Sequence, residues 1–214
     1  MAVRRKLSGH RNYDLTCGID LTDEREVRAL FQYLSSSKVF CVIMGPPCTA
    51  FGPWISVNMA KARTNPLMAA KLRKTRRIGT QLANLAADIA IFQLKHGRHF
   101  VAENPHSSQV WKLPSWKRVL ARPNVVRAVC DQCMKGLTTP HGLAKKPTSF
   151  VASDESLVWR LRTRCNRQHR HVMLEGSLTT AAQTWPQQIC RDIVDGVLEC
   201  KLREKRNKNN RIVF

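Results

Sequence analysis

Apolar residues recur along this chain at two different spacings, and their alternation predicts the fold class. Val27, Leu30, Phe31 and Leu34 follow one another at helical intervals. Thr22 stands before them as an N-cap, with Asp23 and Glu24 in the first turn, where negative charge suits the helix dipole. The run Val39-Phe40-Cys41-Val42-Ile43-Met44 is short, apolar and stopped by Gly45-Pro46, which reads as a buried strand. A loop with Trp54, Asn58 and Pro66 comes next, then a long helix over about 67–95. That helix packs Leu82, Leu85, Ile89 and Phe92 on one stripe and stops at Gly97. His99-Phe100-Val101-Ala102 reads as a second strand, which delivers Glu103-Asn104-Pro105. Residues 115–122 predict a short helix, and 125–130 and 148–152 predict strands. Ser153 caps a helix to about Arg164, and a last helix covers about 186–203 with Pro186 in its opening turn. Strands alternating with helices make this an α/β chain.

Two of these strand ends carry reactive groups. Met44-Gly45-Pro46-Pro47-Cys48-Thr49 mounts a thiol on a Pro-Pro turn at the carboxyl end of a strand, where open α/β sheets place their ligands. The prolines fix φ and restrict the residue before them, so the thiol is held. Glu103 lies 55 residues further on, at the end of the next strand. In a parallel sheet the two ends share one edge. A thiolate beside a carboxylic acid suits addition to an electron-poor ring: sulfur attacks carbon while the acid protonates a ring nitrogen.

Charge then narrows the partner. The 214 residues carry 36 Lys and Arg against 15 Asp and Glu, a formal net charge of +21. Such an excess points to a polyanion, most simply nucleic acid. Basic runs at 71–77, 160–170 and 201–211 give the footprint for phosphates, and Trp54, Trp111 and Trp116 are candidates to stack on an unpaired base. No apolar run is long enough for a membrane span, and the basic N-terminus lacks the apolar stretch of a signal peptide. The eight cysteines therefore read as reduced, in an intracellular compartment, the nucleus if the source is eukaryotic. Cys41 and Cys190 read as core filler.

With these residues in view, the chain resembles the cytosine-5 methyltransferases. Gly45-Pro46-Pro47-Cys48-Thr49-Ala50-Phe51-Gly52 is similar to their Pro-Cys nucleophile loop, and Phe100-Val101-Ala102-Glu103-Asn104-Pro105 to their Glu-Asn-Val strand end. Gly142–Thr148 is a looser match to their Gln-x-Arg-x-Arg strand, with Lys145 and Lys146 in place of arginines. A divergent branch associated with eukaryotic retroelements and similar mobile genes shares the ordered set Pro46–Thr49, Glu103–Pro105, Asp131–Cys133, Lys145–Thr148 and Cys165–His171. The likeness spans roughly residues 18–196 and implies a three-layer methyltransferase-type sheet. It implies Cys48 as nucleophile on C6 of cytosine, beside Pro47, and Glu103 as the acid at N3. Thr49, Asn104, Lys145 and Lys146 would hold substrate or loop, S-adenosylmethionine would be the methyl donor, and DNA more than RNA the substrate. The target base must leave its stack to be reached.

One departure stands against the match. The family binds its donor on a Gly-rich loop after the first strand, and nothing before Cys48 supplies it. Asp14–Asp20 has a faint likeness to that loop, with Asp20 where a second glycine belongs; Asp20 and Pro46 are the remaining donor contacts. Gly18-Ile19-Asp20-Leu21 reads instead as a later strand end, in a sheet truncated in its N-terminal half; the chain would be a fragment, a degenerate copy, or half of a split enzyme whose donor-binding part comes from a partner chain. The competing expectation is a catalytically silent nucleic-acid-binding module.

The last constellation has metal-ligand spacing. Cys130-x2-Cys133 is followed by Cys165-x3-His169-x-His171, five candidates for the four places of a structural zinc site. The Cys-x2-Cys spacing alone prefers Cys130 and Cys133 with two of the others, and His141 is a weaker candidate. The family pattern favours Cys133, Cys165, His169 and His171. The predicted organisation is thus a basic lead-in (1–13), a methyltransferase-like domain (14–200) with a zinc subregion (130–171), and a disordered basic tail (201–214).

Overall fold

Where Cys41-Val42-Ile43-Met44 meets His99–Pro105, two apolar strands pair in parallel. In the computed structural model, which describes residues 7–9, 11–52 and 55–210, β1 (Cys41–Met44) runs alongside β2 (His99–Pro105) with Cys41 opposite His99 and Met44 opposite Ala102. The chain is mixed α/β and divides into two compact units, His10–Pro123 and Asn124–Phe214 with Met1–Gly9.

In the unit 10–123, helix α1 (Glu24–Ser36) begins one residue later than the sequence suggests. Asp23, not Thr22, is the N-cap, and its carboxylate accepts from the Arg25 amide; the Thr22 amide and hydroxyl are already bonded to Asp20. Leu30 and Leu34 bury that helix's apolar face. A further short helix, α2 (Ile55–Ala62), occupies what the sequence reads as loop; only Ile55 of it is buried, so its hydrophobic pattern is too weak to read. Helix α3 (Pro66–Lys95) has Asn65 as N-cap and Pro66 at its first turn, and its last turn closes before Gly97 at φ +61°. Its buried residues include Leu85 and Ile89 with Ala83, Ala86, Ala87 and Ala90, the alanines letting it lie close to its neighbours, while Leu82 and Phe92 are half-buried. Gln93, fully buried on α3, donates from one amide nitrogen to the carbonyls of both Val39 and His99, at 3.0 and 2.9 Å. Helix α4 is Pro114–Leu120.

In the unit 124–214, β3 (Val126–Asp131) pairs antiparallel with β6 (Pro147–Ala152). Between them Thr138–Thr139 (β4) and Gly142–Leu143 (β5) form a small ribbon. The helix expected after Ser153 is absent. Asp154 caps a 3-10 turn at Glu155–Leu157, and a second turn follows at Trp159–Leu161. Arg162 bonds both Glu155 carboxylate oxygens and the Arg127 carbonyl, which favours the tighter path over an α-helix. After α5 (Leu178–Ala181), helix α6 (Gln187–Asn210) continues through most of the segment expected to be disordered. Gly196 lets α6 approach the first 3-10 turn, since a Cβ there would lie 2.8 Å from the carbonyl oxygens of Ser156 and Leu157. No helix among the described residues is long and apolar enough to cross a membrane.

Candidate functional site

The register of β1 and β2 brings the Pro-Pro-Cys loop and Glu103 to the same end of the strand pair. The loop is held from three sides. The Asn104 side-chain amide donates to the Pro46 carbonyl at 2.8 Å. The Phe51 amide closes a turn on the Cys48 carbonyl at 2.9 Å, and the Phe51 carbonyl accepts from Gln109 at 3.1 Å. Ala50 and Phe51 are buried, and Gly79 of α3 faces them so closely that a Cβ there would sit 3.0 Å from the Ala50 Cβ and 3.3 Å from Phe51 Cε2. Within this frame Cys48 is half-buried, Pro46 half-buried, and Pro47 and Thr49 exposed. Glu103 is 8% exposed and Asn104 fully buried. Asn104, expected to hold substrate, therefore spends its amide on the Pro-Pro-Cys loop.

The expected donor contact Asp20 is placed otherwise than as a strand end. Residues 18–21 form no strand. They follow a 3-10 turn at Leu15–Cys17 that Asp14 caps and Gly18 ends at φ +77°. Asp20 is exposed, and its Oδ1 accepts from both the amide and the hydroxyl of Thr22.

Of the tryptophans, Trp111 and Trp116 belong to the core rather than to a stacking surface. Both are buried, edge to face with centroids 5.1 Å apart. Their indole nitrogens donate to the carbonyls of Pro105 and Ala83. Trp54 lies outside the described residues.

In the unit 124–214, Cys133, Cys165, His169 and His171 present ligand atoms that all lie within 4.8 Å of one another, a group able to hold a metal ion. The Cys165 sulfur is 3.6 Å from His169 Nε2 and 3.4 Å from His171 Nε2. Arg167, at φ +61°, turns the chain so that its amide donates to the same sulfur at 3.3 Å. Cys130 is outside the group. It is fully buried in β3, where burial pushes its thiol up to about 12. Burial and the neighbouring Cys165 push the Cys133 thiol up to about 11. Asp131 was not among the expected ligands, yet it orients the site. Its buried Oδ2 accepts from the Cys165 amide at 2.8 Å and from Arg164 Nε at 3.0 Å. Burial opposes that carboxylate's charge, but these donors outweigh it and hold its pKa below the usual range. The adjacency of Asp131 to Gln132-Cys133 was the available sequence signal.

Lys145 and Lys146 flank this region and are half-buried. Lys146 Nζ donates to the Ala182 carbonyl at 2.8 Å, a loop-holding role. Bridging from Ala144 to Val172 ties the ribbon segment to the residue after His171.

Compared with family models, curated proteins and solved structures, the chain matches none of them.

Proposed function

We propose that the chain acts on nucleic acid as a cytosine-5 methyltransferase-like protein, with Cys48 as nucleophile and Glu103 as acid. The observation that carries the reading is the Asn104–Pro46 hydrogen bond, which fastens the thiol loop to the strand end bearing the carboxyl group. In this reading the Cys48 sulfur bonds to C6 of a cytosine. The displaced π electrons pass toward N3, which takes the Glu103 proton. Nothing leaves the ring, and the product is a covalent enamine activated at C5. A three-layer methyltransferase-type sheet around β1 and β2 is part of the same proposal.

The described residues do not fit a site for S-adenosylmethionine. No glycine-rich turn follows a strand ahead of Cys48, and Asp20 is committed to Thr22. Donor binding then falls to a part of the enzyme outside the described residues, such as a partner chain.

Zinc is the ion we assign to the Cys133–Cys165–His169–His171 group. Zinc–sulfur and zinc–nitrogen bonds of about 2.3 and about 2.0–2.1 Å at tetrahedral angles separate S from N by about 3.5 Å. The two sulfur–nitrogen distances at Cys165, 3.6 and 3.4 Å, straddle that value. Two thiolates and two imidazoles fill all four places, so the zinc would be structural.

The decisive experiment uses an oligonucleotide with pyrimidin-2-one in place of the target cytosine, a ring that accepts thiols without any methyl donor. The expected result is a denaturation-resistant protein–oligonucleotide adduct. Cys48→Ala should abolish it, and Glu103→Gln should slow it by roughly 10²-fold or more. Binding without an adduct would overturn the catalytic reading in favour of a silent nucleic-acid-binding module.

A further inference from the structure

The basic runs of this chain differ in what surrounds their charges. In the run 160–170, Arg160 pairs with Glu199, Arg162 with Glu155 and Arg164 with Asp131, which leaves only Arg167 and Arg170 as exposed, uncompensated charges. On α6, Arg203 pairs with Asp154, and Glu199 and Glu204 are interleaved with the exposed Lys201, Lys205, Arg206 and Lys208. The run on α3 has no such compensation. Between Glu26 and Asp88 the sequence contains no acidic residue and nine Lys and Arg. Lys71, Arg73, Lys74 and Arg77 are all exposed, and none of the ion pairs among the described residues involves them.

Helix geometry gathers these four side chains. At 3.6 residues per turn they span about 160° of the helix circumference, on the side away from Gly79. Arg76, on the other side, is half-buried with its guanidinium 3.5 Å from the Met59 sulfur of α2. Lys61 and Arg63, exposed at and just after the end of α2, extend the same charge in sequence. Position matters as much as sign. Gly79, one turn beyond Arg76, is the residue against which Ala50 and Phe51 of the nucleophile loop pack. The uncompensated charge therefore runs along α3 for about 12 Å, from Lys71 to the contact that supports Cys48.

We infer that this face of α3, formed by Lys71, Arg73, Lys74 and Arg77, binds the phosphate backbone beside the target base and leads the strand to Cys48. The inference rests on the proposed action on nucleic acid and names the surface that serves it. Phosphates on such a surface displace condensed counterions, so the binding carries a salt signature proportional to the cations engaged.

The test is fluorescence anisotropy of a labelled single-stranded oligonucleotide, titrated with the full chain over a fourfold range of salt. The variant Lys71→Gln/Arg73→Gln/Lys74→Gln/Arg77→Gln should bind at least ~10-fold more weakly. Its slope of log K against log salt should flatten by about 3, at roughly 0.7 per lost contact. The charge-keeping variant Lys71→Arg/Arg73→Lys/Lys74→Arg/Arg77→Lys should retain affinity and slope, which separates charge from folding. Lys201→Gln/Lys205→Gln/Arg206→Gln/Lys208→Gln on α6 should leave the slope nearly unchanged. If the α6 variant loses the slope and the α3 variant keeps it, this inference falls while the pyrimidin-2-one adduct, and the reading beneath it, survive. A wild-type chain that binds vesicles of phosphatidylserine and ignores the oligonucleotide overturns both.

Discussion

The Asn104 side-chain amide donates to the Pro46 carbonyl at 2.8 Å, and so the end of β2 holds the loop that ends in Cys48. Replacing Asn104 with Ala strands the half-buried Pro46 carbonyl and removes a partly buried bond, at a cost of about 1–3 kcal/mol. The expected outcome is a lower denaturation midpoint together with a looser loop. Cys48 alkylation by iodoacetamide, followed by peptide mass spectrometry, should accelerate. Unchanged alkylation alongside full stability would remove Asn104 from any positioning role.

Gly79→Ala sets two effects against each other. Alanine favours an exposed helix interior by about 1 kcal/mol over glycine. Here, however, the new Cβ would press on the Ala50 Cβ and on Phe51, both nearly fully buried and unable to yield. Overpacking of this kind costs about 1–3 kcal/mol, so the variant should be less stable and its Cys48 adduct slower to form. A thermal melt checks the first expectation and the pyrimidin-2-one trap the second.

Metal content discriminates between the two cysteines of the Cys-x2-Cys pair. Cys133→Ser should lose the bound zinc, whereas Cys130→Ser should keep one zinc per chain. The wild-type chain should melt at a lower temperature after exhaustive chelation. Metal analysis of the purified variants reads this out directly, and an equal loss in both would reinstate Cys130 as a ligand.

Acid should weaken the unit 124–214 in part through Asp154. Its carboxylate accepts from the amide and hydroxyl of Ser156 and from Arg203 of α6. Burial opposes the charge, but these donors outweigh it and depress the pKa. A depressed carboxylate stabilises above its unfolded value of about 3.9, and that contribution disappears as pH falls through the folded value. Asp154→Asn should therefore cost about 1–2 kcal/mol near neutrality, and the gap between variant and wild type should close below about pH 4. Denaturation curves at a series of pH values test the sign; a gap that widens in acid contradicts it.

Legibility from sequence followed the length scale of the cause. The strand at Cys41–Met44 and the ends of α3 rest on local features, an apolar run stopped by Gly-Pro and a glycine stop, and they stand within two residues of where the sequence places them, although Ile43 of the strand is exposed rather than buried. Three of the four clustered residues able to hold a metal lie within Cys165–His171, so the spacing itself announces them. What the sequence hides is tertiary. The segment after Ser153 is rich in helix formers, but Arg162 reaches Glu155 and the Arg127 carbonyl and breaks it into two tight turns. Trp111 and Trp116 have the composition of a stacking surface, and only packing reveals them as core. Asn104 was legible as part of a motif; that its amide serves the loop required the neighbouring strand.

The two side-chain amides at opposite ends of the β1–β2 pair have a joint consequence. Gln93 grips the entry, through Val39 and His99, and Asn104 grips the exit, through Pro46. Sliding one strand past the other by a single residue would shift the thiol loop by about 3.3 Å against the carboxylate and invert which side chains of the strand face inward. Riveted at both ends, the pair cannot ratchet. The register that sets Cys48 against Glu103 is thus held at both ends of the strand pair.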